Sequence, residues 1–174
     1  PSGHVSRNRL YARVISARSQ LGARRQVFLV SLGGFDTHSN QQTAHTALLT
    51  QLAGAIGFFQ TTMAQLGTAN SVTLFTASDF GRALLSNGDG SDHGWGAHHF
   101  VVGGAVKGKQ VYGSFPDLTA NAPTAAGNGR LIPTTSVEQY AATMASWMGV
   151  GASDLRLILP NLPNFATDNL GFMA

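Results

Sequence analysis

The sequence predicts an α/β fold, with an open and mostly parallel sheet and helices on its faces. Three short apolar runs, at residues 26–32, 71–77 and 99–106, are typical of strands that are buried on both faces of a sheet. Residues 42–66, between the first two runs, carry apolar side chains at helical spacing and stop before a glycine. Strand, helix and strand with a crossover of this length form a βαβ unit, whose two strands are parallel.

The N-terminal region, residues 5–22, has a helical apolar pattern that ends at Gly22. Six of the eleven basic residues lie in the first 25 positions, where there is no acid: Arg7, Arg9, Arg13, Arg18, Arg24 and Arg25. A basic end can bind nucleic acid or a membrane surface. Here the arginines alternate with the apolar residues of the helix, which favours a solvated helix face, and we expect no nucleic-acid partner.

The C-terminal third is irregular after residue 113, until Ser136 and Gln139 form a capping box. A helix is predicted from there to about Met148, and the Pro/Asn-rich tail, residues 160–174, is expected along the surface. Because the chain has no repeat and no clear linker, we expect a single α/β domain over residues 1–174. The start at Pro1, without a methionine, predicts that this domain is a piece of a longer protein.

The composition excludes several kinds of protein. There is no cysteine, which rules out disulfides, thiolate catalysis and cysteine-bound zinc. No apolar run reaches the roughly 18 residues of a membrane span, and no signal peptide is recognisable. Charged residues are 11% of the chain, against about 25% in an average protein. Much of the surface is therefore either neutral or covered by a partner. One candidate for this partner is a second copy of the chain, in a homo-oligomer. The nucleophile elbow, the P-loop and the dinucleotide fingerprint are all missing.

Acidic and histidine side chains follow the predicted strands. Asp36 and His38 come after the first run, Asp79 and Arg82 come after the second, and Asp92, His93 and His98 precede the third. Ligands bind at the carboxyl ends of parallel strands, so these loops are expected to meet at one edge of the sheet. Carboxylates with imidazoles and no thiolate suit a divalent metal. Zinc is expected first, with manganese, magnesium or calcium as alternatives.

Structural interpretations of the same residues stay open at this point. Asp36 can form an Asx turn, and Asp79 can cap a helix or pair with Arg82. If His98 and His99 lie on a strand, they point to opposite faces, and at most one of them reaches the site.

Several segments together resemble the bacterial domain-of-unknown-function family 1501 (DUF1501): GGFDTHSNQ, SDFGR, NGDGSDHGWGAHHFVVGGAVKG, YGSFP, GRLIPTTS and PNLPNF. That family is placed in the alkaline-phosphatase/sulfatase superfamily. The resemblance implies an alkaline-phosphatase-like doubly wound sheet, a two-metal site at the strand ends, and a periplasmic or secreted location. This chain is similar to the C-terminal half only. The N-terminal half of the same protein is then a partner that supplies the nucleophile, and the isolated fragment is expected to be inactive.

The resemblance also assigns residues. Asp36 resembles the aspartate on one metal, with His38 near the usual histidine, and His93 resembles the late histidine that completes that metal's ligands. Asp79 resembles the aspartate on the second metal. The sequence departs from the superfamily at Phe80, where related hydrolases commonly have a histidine, and in the short spacing between Asp36 and His38.

Two functions are therefore predicted. The first is a metal-dependent hydrolase of phosphate or sulfate esters that acts on a small anionic ester. Asp36, His38, Asp79, Asp92 and His93 would hold the metal, and Arg82 or His98 would steady the anionic group. The alternative is a non-catalytic secreted or periplasmic binding or assembly protein with a degenerate form of the same fold. The low charge content, the Gly/Asn-rich loops and Phe80 favour this alternative.

Overall fold

The structure, a computed structural model, describes residues 3–119 and 122–174. Within these ranges it contains four α-helices: α1 (Gly3–Ser16), α2 (Gln41–Gln65), α3 (Val137–Trp147) and α4 (Ala152–Ile158). It also contains four strands: β1 (Thr73–Phe75), β2 (Gly81–Ser86), β3 (Ser91–Gly94) and β4 (Val101–Gly103). Single 3₁₀ turns lie at Ala69–Ser71 and Leu162–Asn164.

The described chain divides into two compact units. The first consists of the described residues up to Thr76, together with Leu85–Asp92 and Phe100–Gly104. The second consists of Ala77–Leu84, His93–His99 and the described residues from Ala105 onward. The single domain expected over residues 1–174 stays a prediction.

The predicted open, mostly parallel sheet is wrong. The described strands form two separate two-stranded antiparallel sheets, β1 with β4 and β2 with β3. In the first sheet Thr73 lies opposite Gly103 and Phe75 lies opposite Val101. Residues 26–32, the first predicted strand, form no strand and are not part of either sheet. A parallel sheet needs that segment to pair with β1, so the alkaline-phosphatase-like architecture is not supported either.

The first unit has its core where α1 packs on α2. Ala12 and Ile15 of α1 meet Phe59 and Met63 of α2, because each pair lies three or four residues apart on one helix face. Partly buried Phe28, Val72 and Leu74 pack against this cluster. The predicted N-terminal helix is confirmed, although it ends at Ser16, and the chain then turns through residues 17–22. The predicted helix over residues 42–66 is confirmed as α2.

The second unit is organised around α3. Its capping box is confirmed: the Gln139 amide donates to Ser136 Oγ, and the Ser136 amide donates to Gln139 Oε1, both at 3.1 Å. The inner face of α3 packs on α4 and on the turn after it, through Ala142, Leu155 and Leu162. The helix α4 follows Gly151 and was not predicted, because seven residues are too few for a clear periodicity.

The Pro/Asn content of the C-terminal tail predicts a surface segment, but part of the tail is buried. Phe172 is buried, with its ring centroid 5.8 Å from that of Tyr112 and 5.8 Å from that of Tyr140. Val106 forms a β-bridge with Met173, which holds the end of the chain in place. Within the residues described here, no helix has the length and hydropathy that crossing a membrane requires.

Candidate functional site

The loop that precedes α2 brings two predicted site residues together. Asp36 Oδ1 lies 2.9 Å from His38 Nε2. On the other side of the same ring, His38 Nδ1 lies 3.5 Å from Asp92 Oδ1. All three side chains are about half exposed. The imidazole of His38 is therefore placed between two carboxylates, within reach of solvent.

The β2–β3 hairpin supplies Asp92, and its tip lies directly on the Asp36–His38 loop. The Ser91 amide is 3.4 Å from the Thr37 carbonyl oxygen. The Asn87 side-chain amide donates to the carbonyl of His38 at 3.1 Å and reaches Asp92 Oδ1 at 3.3 Å. These bonds attach the loop that carries His38 to the strand that carries Asp92.

Gly90 makes this close approach possible. A Cβ at this position would lie 2.4 Å from the carbonyl carbon of His38 and 2.4 Å from the carbonyl oxygen of Thr37. No side chain can be placed there unless the backbone moves. The tip is also closed internally, since the Asn87 amide donates to the Gly90 carbonyl and the Gly90 amide donates to Asn87 Oδ1.

The same tip holds the start of α2. Asn40, the N-cap residue, has a left-handed backbone with φ of 48° and makes no capping bond through its own side chain. The carboxylate of Asp89 accepts from the Asn40 amide at 2.7 Å, and the Asp89 carbonyl accepts from the Gln41 amide at 3.1 Å. A carboxylate is a favourable acceptor here, because the N-terminus of a helix carries partial positive charge.

Asn87, Asp89 and Gly90 were not identified as site residues from the sequence. Their signal was present in the run NGDG, which is typical of a tight turn. The structure forms the β2–β3 hairpin around this run. Residues 87–90 therefore belong to a turn that supports the site.

Asp79, Arg82 and His93 lie in the second unit. The ring of His93 stacks on Phe80, with centroids 3.8 Å apart and planes within 6° of each other. The guanidinium of Arg82 lies over the same Phe80 ring, 5.6 Å from its centroid. The carbonyl of His93 accepts from Arg130 Nε at 3.1 Å. Phe80, found where a histidine was expected, thus contacts both a histidine ring and a guanidinium. Asp79 is exposed.

His98 and His99 also lie in the second unit, and they stack on different aromatic rings. His98 lies 5.3 Å from Phe115 and His99 lies 5.8 Å from Tyr140, measured between ring centroids. Burial, and then the neighbouring charge of His98, lower the pKa of His99 below its ordinary value. Burial also raises the pKa of Tyr140 to about 12, so this phenol keeps its proton at neutral pH.

The comparisons with known proteins identify the family. The family model described as "Protein of unknown function (DUF1501)" matches residues 3–158. The chain belongs to the DUF1501 family. No curated protein and no solved structure matches it. The description of this family names no function.

Asp36 and His38 are suitable as metal ligands. Two ligands bound to tetrahedral zinc at about 2.0–2.1 Å are about 3.3 Å apart. Asp36 Oδ1 and His38 Nε2 are 2.9 Å apart on half-exposed side chains, so a displacement of a few tenths of an ångström would admit the ion. Asp92 lies on the other ring nitrogen, where metal-binding histidines commonly meet a carboxylate that orients them.

Proposed function

We propose that this DUF1501 chain provides a divalent-metal site, with zinc as the first candidate and manganese, magnesium or calcium as alternatives, for the hydrolysis of phosphate or sulfate esters. The observation that carries the proposal is the position of the His38 ring between two carboxylates. Its Nε2 faces Asp36 and its Nδ1 faces Asp92. A neutral imidazole has one N–H and one free nitrogen, so an Nδ1 proton directed to Asp92 leaves Nε2 able to bind metal.

In this proposal the three residues have different roles. Asp36 and His38 contribute one ligand atom each. Asp92 accepts the Nδ1 proton of His38 and keeps the ring in the tautomer that binds metal. Asp79 and His93, in the second unit, stay predicted ligands on the basis of the sequence resemblance.

The proposed substrate is a small anionic ester. A bound divalent ion supplies Lewis-acid polarisation of an ester oxygen. Arg82 is proposed to bind the anionic group through its planar guanidinium, which Phe80 supports from one face, and His98 is a second candidate for this role. The proposal has three further parts. The nucleophile comes from the N-terminal half of a longer protein, and that protein is a member of the alkaline-phosphatase/sulfatase superfamily. Its location is periplasmic or secreted. The isolated chain would be inactive.

Zinc titration of the chain, followed by calorimetry, tests this proposal. Wild-type protein should bind zinc, and Asp36→Ala or His38→Ala should abolish binding. Asp92→Asn should weaken zinc affinity by about 10- to 100-fold, the range for losing an orienting carboxylate. Asp168→Ala, which removes an exposed carboxylate of the tail, is the matched control and should leave affinity unchanged. If His38→Ala binds zinc as tightly as wild type, the site is elsewhere and the proposal fails.

A second function is favoured by Phe80. Its ring stacks on His93 and lies under Arg82, so two side chains assigned to metal or substrate already have an aromatic partner. This arrangement suits a non-catalytic binding or assembly protein that keeps the Asp/His loops as structure. The zinc titration separates the two functions, because this second one predicts no metal affinity above that of the His38→Ala variant.

A further inference from the structure

The dipeptide Asn–Gly occurs twice in the chain, at Asn87–Gly88 and at Asn128–Gly129, and both asparagines are exposed. Because glycine has no Cβ, its backbone amide meets little steric hindrance when it approaches the side chain of the preceding residue. An asparagine before glycine is therefore open to attack by the next amide nitrogen, which converts the side chain to an acid. In a folded protein, this reaction depends on how firmly the attacking nitrogen and the side-chain amide are held.

The tip of the β2–β3 hairpin holds the groups that would react at Asn87. The side-chain amide of Asn87 donates to the carbonyl of His38 at 3.1 Å, and its Oδ1 accepts from the Gly90 amide at 2.9 Å. The attacking nitrogen is held as well, since the Gly88 amide donates to Ser86 Oγ at 3.0 Å. These bonds have to break before the Gly88 nitrogen can reach the side chain of Asn87, so the folded tip protects this asparagine.

The turn at residues 125–131 leaves the second pair free. In the described part of the chain, neither the side chain of Asn128 nor the amide of Gly129 makes a hydrogen bond. The bond that closes this turn, from the Ala126 amide to the Arg130 carbonyl at 2.8 Å, involves neither group. Asn128 has a left-handed backbone with φ of 51°, which aspartate tolerates as asparagine does. The side chain of Asn128 can therefore turn toward the Gly129 amide without losing a bond.

We propose that Asn128 is a site of spontaneous deamidation in the folded protein, whereas Asn87 is protected by the hairpin tip. The amide nitrogen of Gly129 attacks Cγ of Asn128, the new N–Cγ bond closes a succinimide ring, and the Cγ–Nδ2 bond breaks. The side-chain nitrogen leaves as ammonia and takes up the proton that the Gly129 amide loses. Water then opens the ring at either of its carbonyls and gives aspartate or isoaspartate. This inference does not rest on the proposed metal site.

The turn that carries Asn128 is attached to both strands of the β2–β3 hairpin. The Leu84 amide donates to the Gly129 carbonyl at 2.9 Å, and Arg130 Nε donates to the carbonyl of His93 at 3.1 Å. In isoaspartate the backbone runs through the side chain and is longer by a carbon, directly before Gly129. The isoaspartate product should therefore displace the Gly129 carbonyl and weaken its bond to Leu84, while the aspartate product keeps the original backbone.

Incubation of the 174-residue chain in mildly alkaline buffer, followed by digestion and mass spectrometry, measures conversion at both asparagines in one sample. Alkaline buffer is used because the attacking nitrogen must lose its proton. In the folded chain Asn128 should convert at least about tenfold faster than Asn87, because several hydrogen bonds must break before Asn87 can react. In urea that unfolds the chain, the two conversion rates should become similar, since glycine follows both asparagines.

Two variants make the test specific to each pair. Ser86→Ala removes the acceptor of the Gly88 amide, so conversion at Asn87 should become faster while conversion at Asn128 stays unchanged. Asn128→Gln has a longer side chain that closes its ring far more slowly, so conversion at this position should be lost and conversion at Asn87 unchanged. Circular dichroism checks that each variant is folded, and the comparison of folded and urea-unfolded wild type does not depend on either variant.

Hydrogen–deuterium exchange measures the consequence of the reaction. In incubated wild type, the Leu84 amide should exchange faster in the isoaspartate fraction than in fresh protein, because its bond to Gly129 is weakened. The incubated Asn128→Gln variant is the matched control and should show no such change between fresh and incubated samples.

Equal conversion rates of the two asparagines in the folded chain, whether both are fast or both are slow, would overturn the inference. Such a result would show that the hydrogen bonds of the hairpin tip do not distinguish Asn87 from Asn128. Faster conversion at Asn87 than at Asn128 in the folded chain would overturn it as well. An unchanged rate at Asn87 in the Ser86→Ala variant would show that the bond from Gly88 to Ser86 is not a source of the protection.

Discussion

Replacement of Gly90 by alanine is expected to separate the hairpin tip from the loop that carries His38. The new Cβ would lie 2.4 Å from two backbone atoms of residues 37 and 38, whereas non-bonded carbon atoms prefer about 3.5–4.0 Å. The tip must therefore move by about 1 Å, which breaks the bond from the Ser91 amide to Thr37 and the bond from Asn87 to His38. Two hydrogen bonds at about 1 kcal/mol each, with residual strain, give a destabilisation of about 2–4 kcal/mol.

Urea unfolding, followed by circular dichroism, measures this loss, and the same sample serves for zinc titration. Gly33→Ala is the matched control, because Gly33 has open space around its Cβ position and no left-handed backbone. The control should be neutral or stabilised by several tenths of a kcal/mol. Under the metal-site proposal, Gly90→Ala should also weaken zinc binding, since Asp92 moves with the tip. If Gly90→Ala costs less than about 1 kcal/mol, or no more than Gly33→Ala, the close backbone contact does not exist and the reasoning is refuted.

Two further predictions concern the second unit. Ser136→Ala removes the side-chain half of the capping box and should lower the free energy of unfolding by about 1 kcal/mol in a urea titration, whereas Ser136→Asp, which can cap, should lose little. The pKa of His99 is lower in the folded chain than in the unfolded chain, so the unfolded chain is protonated first as the pH falls. The free energy of unfolding is therefore greatest above about pH 6.5 and decreases below it. Urea unfolding at pH 7.5 and at pH 5.5 should show this decrease. His99→Phe keeps an aromatic ring against Tyr140 and should make the decrease smaller. An unchanged pH dependence in this variant would show that His99 is not its cause.

Local features of the fold were predictable from the sequence. The capping box of Ser136 and Gln139 could be predicted because both partners lie within one helical turn, and the structure confirms it. The helix α2 could be predicted because it runs for 25 residues and its apolar spacing is therefore clear in the sequence, and the structure confirms it. Both signals depend only on neighbours along the chain.

Strand pairing was not predictable in the same way. An apolar run such as residues 26–32 predicts a strand, but the structure has none there. Whether a strand finds a partner, and in which direction, depends on residues far away along the chain. The run at 71–77 did become β1, but its partner is antiparallel β4 instead of a parallel neighbour.

The candidate site shows the same division between local and distant information. Asp36 and His38 were expected together because they are two residues apart, and the structure places their side chains 2.9 Å from each other. The expectation that Asp92 lies in the same region depended on a parallel sheet that does not form. Asp92 nevertheless lies near His38, because the β2–β3 hairpin brings it there.

The hairpin tip links the stability of the fold to the geometry of the site. Its Asp89 caps the start of α2 at Asn40, and its Gly90 lies against the backbone just before that cap. The loop at residues 36–40 is therefore held at two points by a turn that lies about fifty residues further along the chain. Neither contact involves the side chain of a predicted metal ligand, yet both hold the backbone that carries His38. A substitution in the NGDG turn would thus alter the proposed metal site without removing any of its predicted ligands, as is expected of residues that position metal ligands from outside the coordination sphere.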